Sequence, residues 1–203
     1  MKTAFFGGTF DPVHTGHLAL AREVLKQGRA DRILFVPAPV PPHKDTAQIT
    51  AFGHRYAMVE LATAGEPGFA CSDIEKHRSG KSYTIDTLTE LASAGTYGEI
   101  LLLIGSDSLR QLHLWYHAHE LAERFGLIVY PRRNEPVTAA ELRQHWSEAE
   151  CAKLQAALMA SAPEFPLSST QIREFIKKNG VGSVSSFVTA PVAEYITSHG
   201  LYL

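Results

Sequence analysis

The sequence predicts an α/β protein, a Rossmann-like doubly wound parallel sheet with a small helical C-terminal part. Three observations lead there. Short continuous apolar runs, such as Ile33–Val36 and Ile100–Ile104, read as strands buried on both faces. They alternate with stretches whose apolar residues recur at helical spacing. Glycine or proline stands at most of the passages between them, as in a succession of βαβ units.

Each element follows in order. Thr3–Phe6 is a short strand halted by Gly7-Gly8. A helix begins around His17, carries Leu18, Ala21 and Leu25 on one face, and ends at Gly28, a natural residue just past a helix end. Ile33–Val36 is the second strand, closed by Pro37 and followed by a proline-rich loop to Lys44. Arg55–Ala64 reads as a helix with Met58, Leu61 and Ala62 together, and Phe69–Ile74 as a further strand. Ile85, Leu88 and Leu91 mark a helix that ends at Gly95. Ile100–Ile104, stopped by Gly105, is the strongest strand. Leu121 and Phe125 close a short helix before the strand Leu127–Tyr130. Thr138–Ala160 reads as one longer helical stretch, because no glycine or proline interrupts it. Ser169–Lys178 is a compact helix closing at Asn179-Gly180, and Pro191 opens a last helix that ends at Gly200. The 203 residues read as one domain whose helical portion starts at about residue 138.

Composition narrows the classes. With 45% hydrophobic and 20% charged residues, the chain is neither disordered, collagen-like nor a coiled coil. Nineteen basic against 21 acidic side chains give no basic surface for nucleic acid or an anionic membrane. No apolar run approaches the roughly 18 residues of a membrane span, and the first one is too short for a signal peptide. Cys71 and Cys151 form no pair motif, which fits a reducing, cytoplasmic setting.

In open parallel sheets ligands sit beyond the carboxyl ends of the strands, so chemistry is sought in the loops there. The loop after the first strand reads Gly7-Gly8-Thr9-Phe10-Asp11-Pro12-Val13-His14-Thr15-Gly16-His17 and runs straight into a helix. Its glycines let backbone approach a phosphate chain, Thr9 offers a hydroxyl, and the first helical turn offers free N–H groups. His14 and His17 can reach one phosphoryl group from the same side, with Gly16 leaving the passage between them open. Neither G-x-x-x-x-G-K-[ST] nor G-x-G-x-x-G occurs. His113, His117 and His119 have the spacing of a metal face, but no glutamate follows His113 as H-E-x-x-H requires, and no metal site is read there.

The H-x-G-H signature after G-G-T-F-D-P resembles that of the nucleotidyltransferases related to class I aminoacyl-tRNA synthetases. Five other segments follow in order: Pro41–Lys44, Ser82–Leu88, Gly105–Leu109 with Trp115, Ser168–Arg173 and Ala190–Ile196. Together they resemble the bacterial nicotinate-nucleotide adenylyltransferases over about residues 3 to 202. The resemblance implies adenylyl transfer from ATP to nicotinate mononucleotide, with release of pyrophosphate. It implies catalytic roles for His14, His17, Lys44 and Arg173. ATP would also meet Gly7, Gly8, Thr9 and Phe10 on the first loop, Gly105 and Asp107 on another, and Ser168, Ser169 and Thr170 before Arg173. Nicotinate mononucleotide would meet Thr9, Lys44, Tyr83, Thr84 and Trp115. Mg²⁺ is implied only as the companion of ATP phosphates, without a dedicated protein site.

The residues by themselves leave alternatives open. Ser168, Thr170 and Asp107 can simply cap helices, and Lys44 and Arg55 can be loop or packing residues. Trp115 can be a half-buried core aromatic and Tyr83 a helix cap. Where the family has arginine-proline-glycine after the Leu127–Tyr130 strand, this chain has Pro131-Arg132-Arg133-Asn134, which leaves the roles of both arginines open. Two other functions compete: transfer to a different phosphorylated acceptor, and a nucleotide-sensing module without turnover. Oligomeric state is not legible, a homo-oligomer included.

Overall fold

The computed structural model describes residues 1–39, 49–76, 78, 82–132 and 136–203. Its five strands are β1 (Lys2–Gly8), β2 (Arg32–Pro37), β3 (Phe69–Cys71), β4 (Glu99–Gly105) and β5 (Gly126–Tyr130). They lie in the order β3-β2-β1-β4-β5, and every pair is parallel. The apolar runs make this arrangement possible, because alternate residues of one strand feed opposite cores. Leu101 and Leu103 of β4 join Ala4 and Phe6 on one face. Ile100, Leu102 and Ile104 join Phe5 and Leu34 on the other.

The helices between the strands are α1 (Thr15–Lys26), α2 (Phe52–Thr63), α3 (Thr84–Ser93), α4 (Ser106–Gln111) and α5 (Ala118–Arg124). After β5 come α6 (Ala139–Leu142), α7 (Glu148–Ala156), α8 (Ser169–Asn179) and α9 (Ala190–Ser198). Ile172 and Ile176 of α8 and Val192 and Ile196 of α9 are fully buried in the same cluster as Ala4 and Phe6. The C-terminal helices therefore share the sheet's core and bring their own loops to its edge.

Two expectations change. The single helix over 138–160 is two helices, α6 and α7. Thr138 and Ser147 each accept from the N–H of the residue three further on, Glu141 and Glu150, whose carboxylates bond back. Two such boxes start two helices, and capping chemistry overrides the absence of a breaker. The chain then leaves helix altogether to lie beside β5, where Met159 N–H donates to the Val129 carbonyl at 2.8 Å. The third strand stops at Cys71 rather than Ile74, because the Ser72 hydroxyl accepts the Ile74 N–H at 3.3 Å and turns the chain.

The chain steps from β1 outward to β2 and β3, then returns to place β4 and β5 on β1's other side. The switch point lies between β1 and β4, and their carboxyl ends, Gly8 and Gly105, open the site.

Candidate active site

His14 is the cap residue of α1 in an extended conformation, with φ −141° and ψ 167°. Its backbone N–H donates to His17 Nδ1 at 3.2 Å. That bond occupies the Nδ1 lone pair, so the proton of neutral His17 sits on Nε2 and is available to a ligand. The two imidazoles stack, with centroids 3.6 Å apart and planes 23° from parallel. The other face of His14 is covered by Phe165, at 4.5 Å and 6°. Held between two rings, His14 can present only its edge.

Both imidazoles are electrically quiet. Burial, and then the charge of Arg132, lowers the pKa of His14 to about 4. His17 is pushed well below its ordinary value by burial, and then by the charges of His14 and Arg132. At neutral pH both are uncharged N–H donors, and a bound phosphate would favour their protonation.

Gly16 has a different task from the one read in the sequence. A Cβ there would lie 2.3 Å from Phe165 Cγ, so the glycine makes room for the aromatic ring that covers His14. Beneath the pair, Phe10 is buried edge-on to His17 at 5.1 Å. Its φ of +49° lies in the left-handed region, where a bulky side chain is strained by about 1–3 kcal/mol. Phe10 thus supports the imidazole from the core. Gly7 is exposed at the end of β1, and the Gly8 carbonyl accepts from Ala38 N–H at 2.8 Å.

The second loop brings a residue whose role the sequence left open. Arg132 Nε pairs with Asp107 Oδ1 at 3.1 Å, and its backbone N–H donates to Ser106 Oγ at 2.9 Å. A Cβ at Gly105 would lie 2.3 Å from that Asp107 oxygen and 2.9 Å from Arg132 Nε, so a side chain there would shift the pair. Asp107 is therefore an ion-pair partner as well as a first-turn acid of α4. Two arginines directly after a buried strand were the only hint of such a role.

The third contribution is α8. Ser168 caps it through a reciprocal bond set with Gln171. Ser169 Oγ donates to the Pro12 carbonyl at 3.0 Å, and Arg173 Nη1 donates to the Asp11 carbonyl at 2.7 Å. Arg173 Nη2 stands 3.5 Å from Thr170 Oγ1. Capping and contact with the first loop thus coexist on one helix start. A cavity of about 810 Å³ results, lined by His14, Gly16, His17, Arg132, Phe165 and the Ser168–Gln171 turn. Hydroxyls, free helical N–H groups, neutral imidazoles and guanidinium at one cavity make a phosphate-binding donor set.

Arg55 takes the packing role. It is almost fully buried and donates to the carbonyls of Thr9, Thr50 and Pro39, at 2.7, 2.8 and 3.1 Å. It ties the Thr9 loop to its neighbours. The remaining predicted residues gather near the start of α3 and the end of the turn Leu112–Leu114. Tyr83 caps α3, Thr84 is its first residue, and Trp115 is half-buried against the second core. Exposed Tyr116, which no motif in the sequence marks, lies tilted against Tyr83 at 4.3 Å and 30° and makes an aromatic surface there. Lys44 and Arg133 lie outside the described residues. The three spaced histidines take separate partners: His113 stacks on His145 at 3.6 Å, His117 pairs with Glu120, and His119 with Glu150. Among the described residues no three His, Cys, Asp or Glu side chains converge on a metal position, and no helix is long and apolar enough to cross a membrane.

Comparison with known proteins gives this geometry relatives. The cytidylyltransferase-like family model matches residues 5–175. A Synechococcus protein described as "Probable nicotinate-nucleotide adenylyltransferase" is 43% identical over 203 residues, covering 100% of this chain and 97% of its own. A Trichlorobacter lovleyi protein of the same description is 37% identical over 213 residues, covering 100% of this chain and 99% of its own. Among solved structures, the nicotinic acid mononucleotide adenylyltransferase of Plasmodium falciparum, complexed with NaAD, superposes with a TM-score of 0.76. It covers 99% of this chain and 97% of its own at 19% identity, a likeness of fold.

Proposed function

The chain belongs to the nicotinate-nucleotide adenylyltransferase family, and we propose that it joins the adenylyl group of ATP to nicotinate mononucleotide in the cleft around His14 and His17. A phosphate oxygen of the mononucleotide attacks the α-phosphorus, the bond to the bridging oxygen breaks, and pyrophosphate leaves with its electrons. The attacking phosphate is already anionic, so no general base is needed. Negative charge accumulates on the α-phosphoryl oxygens and the leaving group, and the protein's task is to meet it.

The observation that carries the reading is the His14–His17 pair: a buried and a half-buried imidazole stacked at the start of a helix beside the sheet's switch point. His17 Nε2–H and the His14 edge would donate to the α- and β-phosphates. Arg173 would hold the β- and γ-phosphates with its fork, supported by the hydroxyls and N–H groups of Ser168–Thr170. Arg132, paired with Asp107, would add positive charge to the same cleft, and Lys44 would bring another to the phosphates. The lining is rich in phosphate donors and holds one carboxylate, Glu164. Mg²⁺ therefore fits best as an ion held by the oxygens of ATP itself, whose charge it offsets.

On the acceptor side, Trp115 with the Tyr83–Tyr116 pair offers flat faces for a pyridine ring. Backbone N–H groups at the start of α3 would hold the nicotinate carboxylate, and an amide would bring a second donor to those donors. Free Cys71 and Cys151 suit a reducing cytoplasm as the place of reaction.

The test is direct. The protein is incubated with ATP, Mg²⁺ and a panel of phosphorylated acceptors, and products are identified by mass. Nicotinate adenine dinucleotide and pyrophosphate are expected, with kcat/KM for the acid at least about 10²-fold above that for the amide. A preferred acceptor without a pyridine ring would overturn the proposal.

A further inference from the structure

Asp11 is a carboxylate with 1% exposure that the mechanism does not use. Its Oδ1 accepts a hydrogen bond of 2.6 Å from the hydroxyl of Tyr202, the penultimate residue of the chain. Its Oδ2 accepts from Thr50 N–H at 3.3 Å and stands 3.9 Å from Arg173 Nη1. That nitrogen already donates to the Asp11 backbone carbonyl at 2.7 Å. The guanidinium is thus anchored on the backbone of Asp11 while its carboxylate, satisfied from elsewhere, is kept at a longer distance.

We propose that Tyr202 is a positioning residue for ATP, holding the Asp11 carboxylate so that Arg173 remains free to take the triphosphate. The reasoning is a competition for one buried anion. A carboxylate oxygen deprived of its donor in a buried place takes the nearest available replacement. Arg55 is committed to three carbonyls. Arg173 is within 3.9 Å and its side chain keeps 26% exposure, so among the described residues its fork is the group able to turn inward. A guanidinium fully paired with Asp11 has fewer donors for phosphate. Tyr202 is well suited to prevent this. Its ring packs against the main core, its hydroxyl stays protonated because burial and the Asp11 charge push its pKa up, and its φ of +64° fixes the chain end in an uncommon turn. A residue beyond α9 thereby bonds directly to the first loop.

The inference rests on the reading of Arg173 as a triphosphate contact, and a double-mutant cycle separates the two. Tyr202→Phe removes one hydroxyl and keeps the ring. It should raise KM for ATP by about fivefold or more, within the range expected for couplings of this kind, while KM for nicotinate mononucleotide and the thermal midpoint change little. In an Arg173→Ala background, the same substitution should raise KM for ATP less than twofold further. A chain lacking Tyr202 and Leu203 should show the same selective ATP defect. Arg173→Ala with unaltered ATP affinity would remove the triphosphate reading itself. Arg173→Ala with weakened ATP affinity but Tyr202→Phe without effect, or with equal effects in both backgrounds, would overturn the positioning role alone.

Discussion

Replacing Gly16 by alanine sets two effects of known sign against each other. Gly16 is the second residue of α1 and does not have a positive φ, so helix propensity favours alanine by up to about 1 kcal/mol. The added methyl, however, would sit 2.3 Å from Phe165 Cγ and 2.7 Å from its Cβ and Cδ1. The ring has little room to yield, lying flat on His14 at 4.5 Å and edge-on to Phe187 at 5.9 Å. Overpacking of this kind costs about 1–3 kcal/mol, so the clash should win and Gly16→Ala should destabilise by about 1 kcal/mol. Activity should fall further than stability, because the displaced ring is the one that holds His14. The assay is urea unfolding of Gly16→Ala, Phe165→Ala and the double variant. With the ring gone the alanine no longer clashes, and the cycle should give a coupling of about 1 kcal/mol or more. Additive effects, or a Gly16→Ala protein more stable than the parent, would refute the assignment of Gly16 to Phe165.

Three further outcomes follow from the charges and burials described. Folded His14 titrates near pH 4, whereas the unfolded chain takes up that proton near 6.5. Stability should therefore fall as pH drops from about 6.5 to about 4, by up to about 3 kcal/mol for this residue, and His14→Gln should flatten that limb in pH-dependent unfolding. Arg132→Ala removes a charge that lowers the pKa of both imidazoles, so NMR titration should find the His14 pKa moved upward, and an unchanged value would disconnect Arg132 from the pair. Arg55→Met leaves three carbonyls without a donor in a buried place and should destabilise by about 2–4 kcal/mol in urea unfolding. A loss below 0.5 kcal/mol would show that water replaces it.

Much of the fold was legible because buried parallel strands carry an unmistakable apolar run. Ile33–Val36 and Ile100–Ile104 lie where the sequence puts them, inside β2 and β4. The division of 138–160 was not legible from breakers, although Ser147 and Glu150 hold the spacing of a capping box and are a usable signal. At the site, His14, His17 and Ser168–Thr170 line one cavity, and Arg173 reaches the same loop through the Asp11 carbonyl. Phe165 and Tyr202 escaped notice for a physical reason. Each acts by packing or hydrogen bonding across a long sequence separation, onto Gly16 and Asp11, and no local pattern records such a meeting. Arg132 escaped in a milder way, since its strand-end position was visible but its ion pair with Asp107 was not.

Donation from the stacked imidazoles to charge that develops as the α-phosphorus is attacked can be measured by single-turnover formation of nicotinate adenine dinucleotide with His17→Ala. The hydrogen bond from His14 N–H fixes the His17 proton on Nε2, so the variant loses one preorganised donor and nothing charged. The rate of the chemical step should drop about 10²- to 10³-fold while the affinity for ATP changes little, because the bond strengthens only as charge accumulates. A chemical step within threefold of the parent would contradict the account and move catalysis away from the imidazole pair.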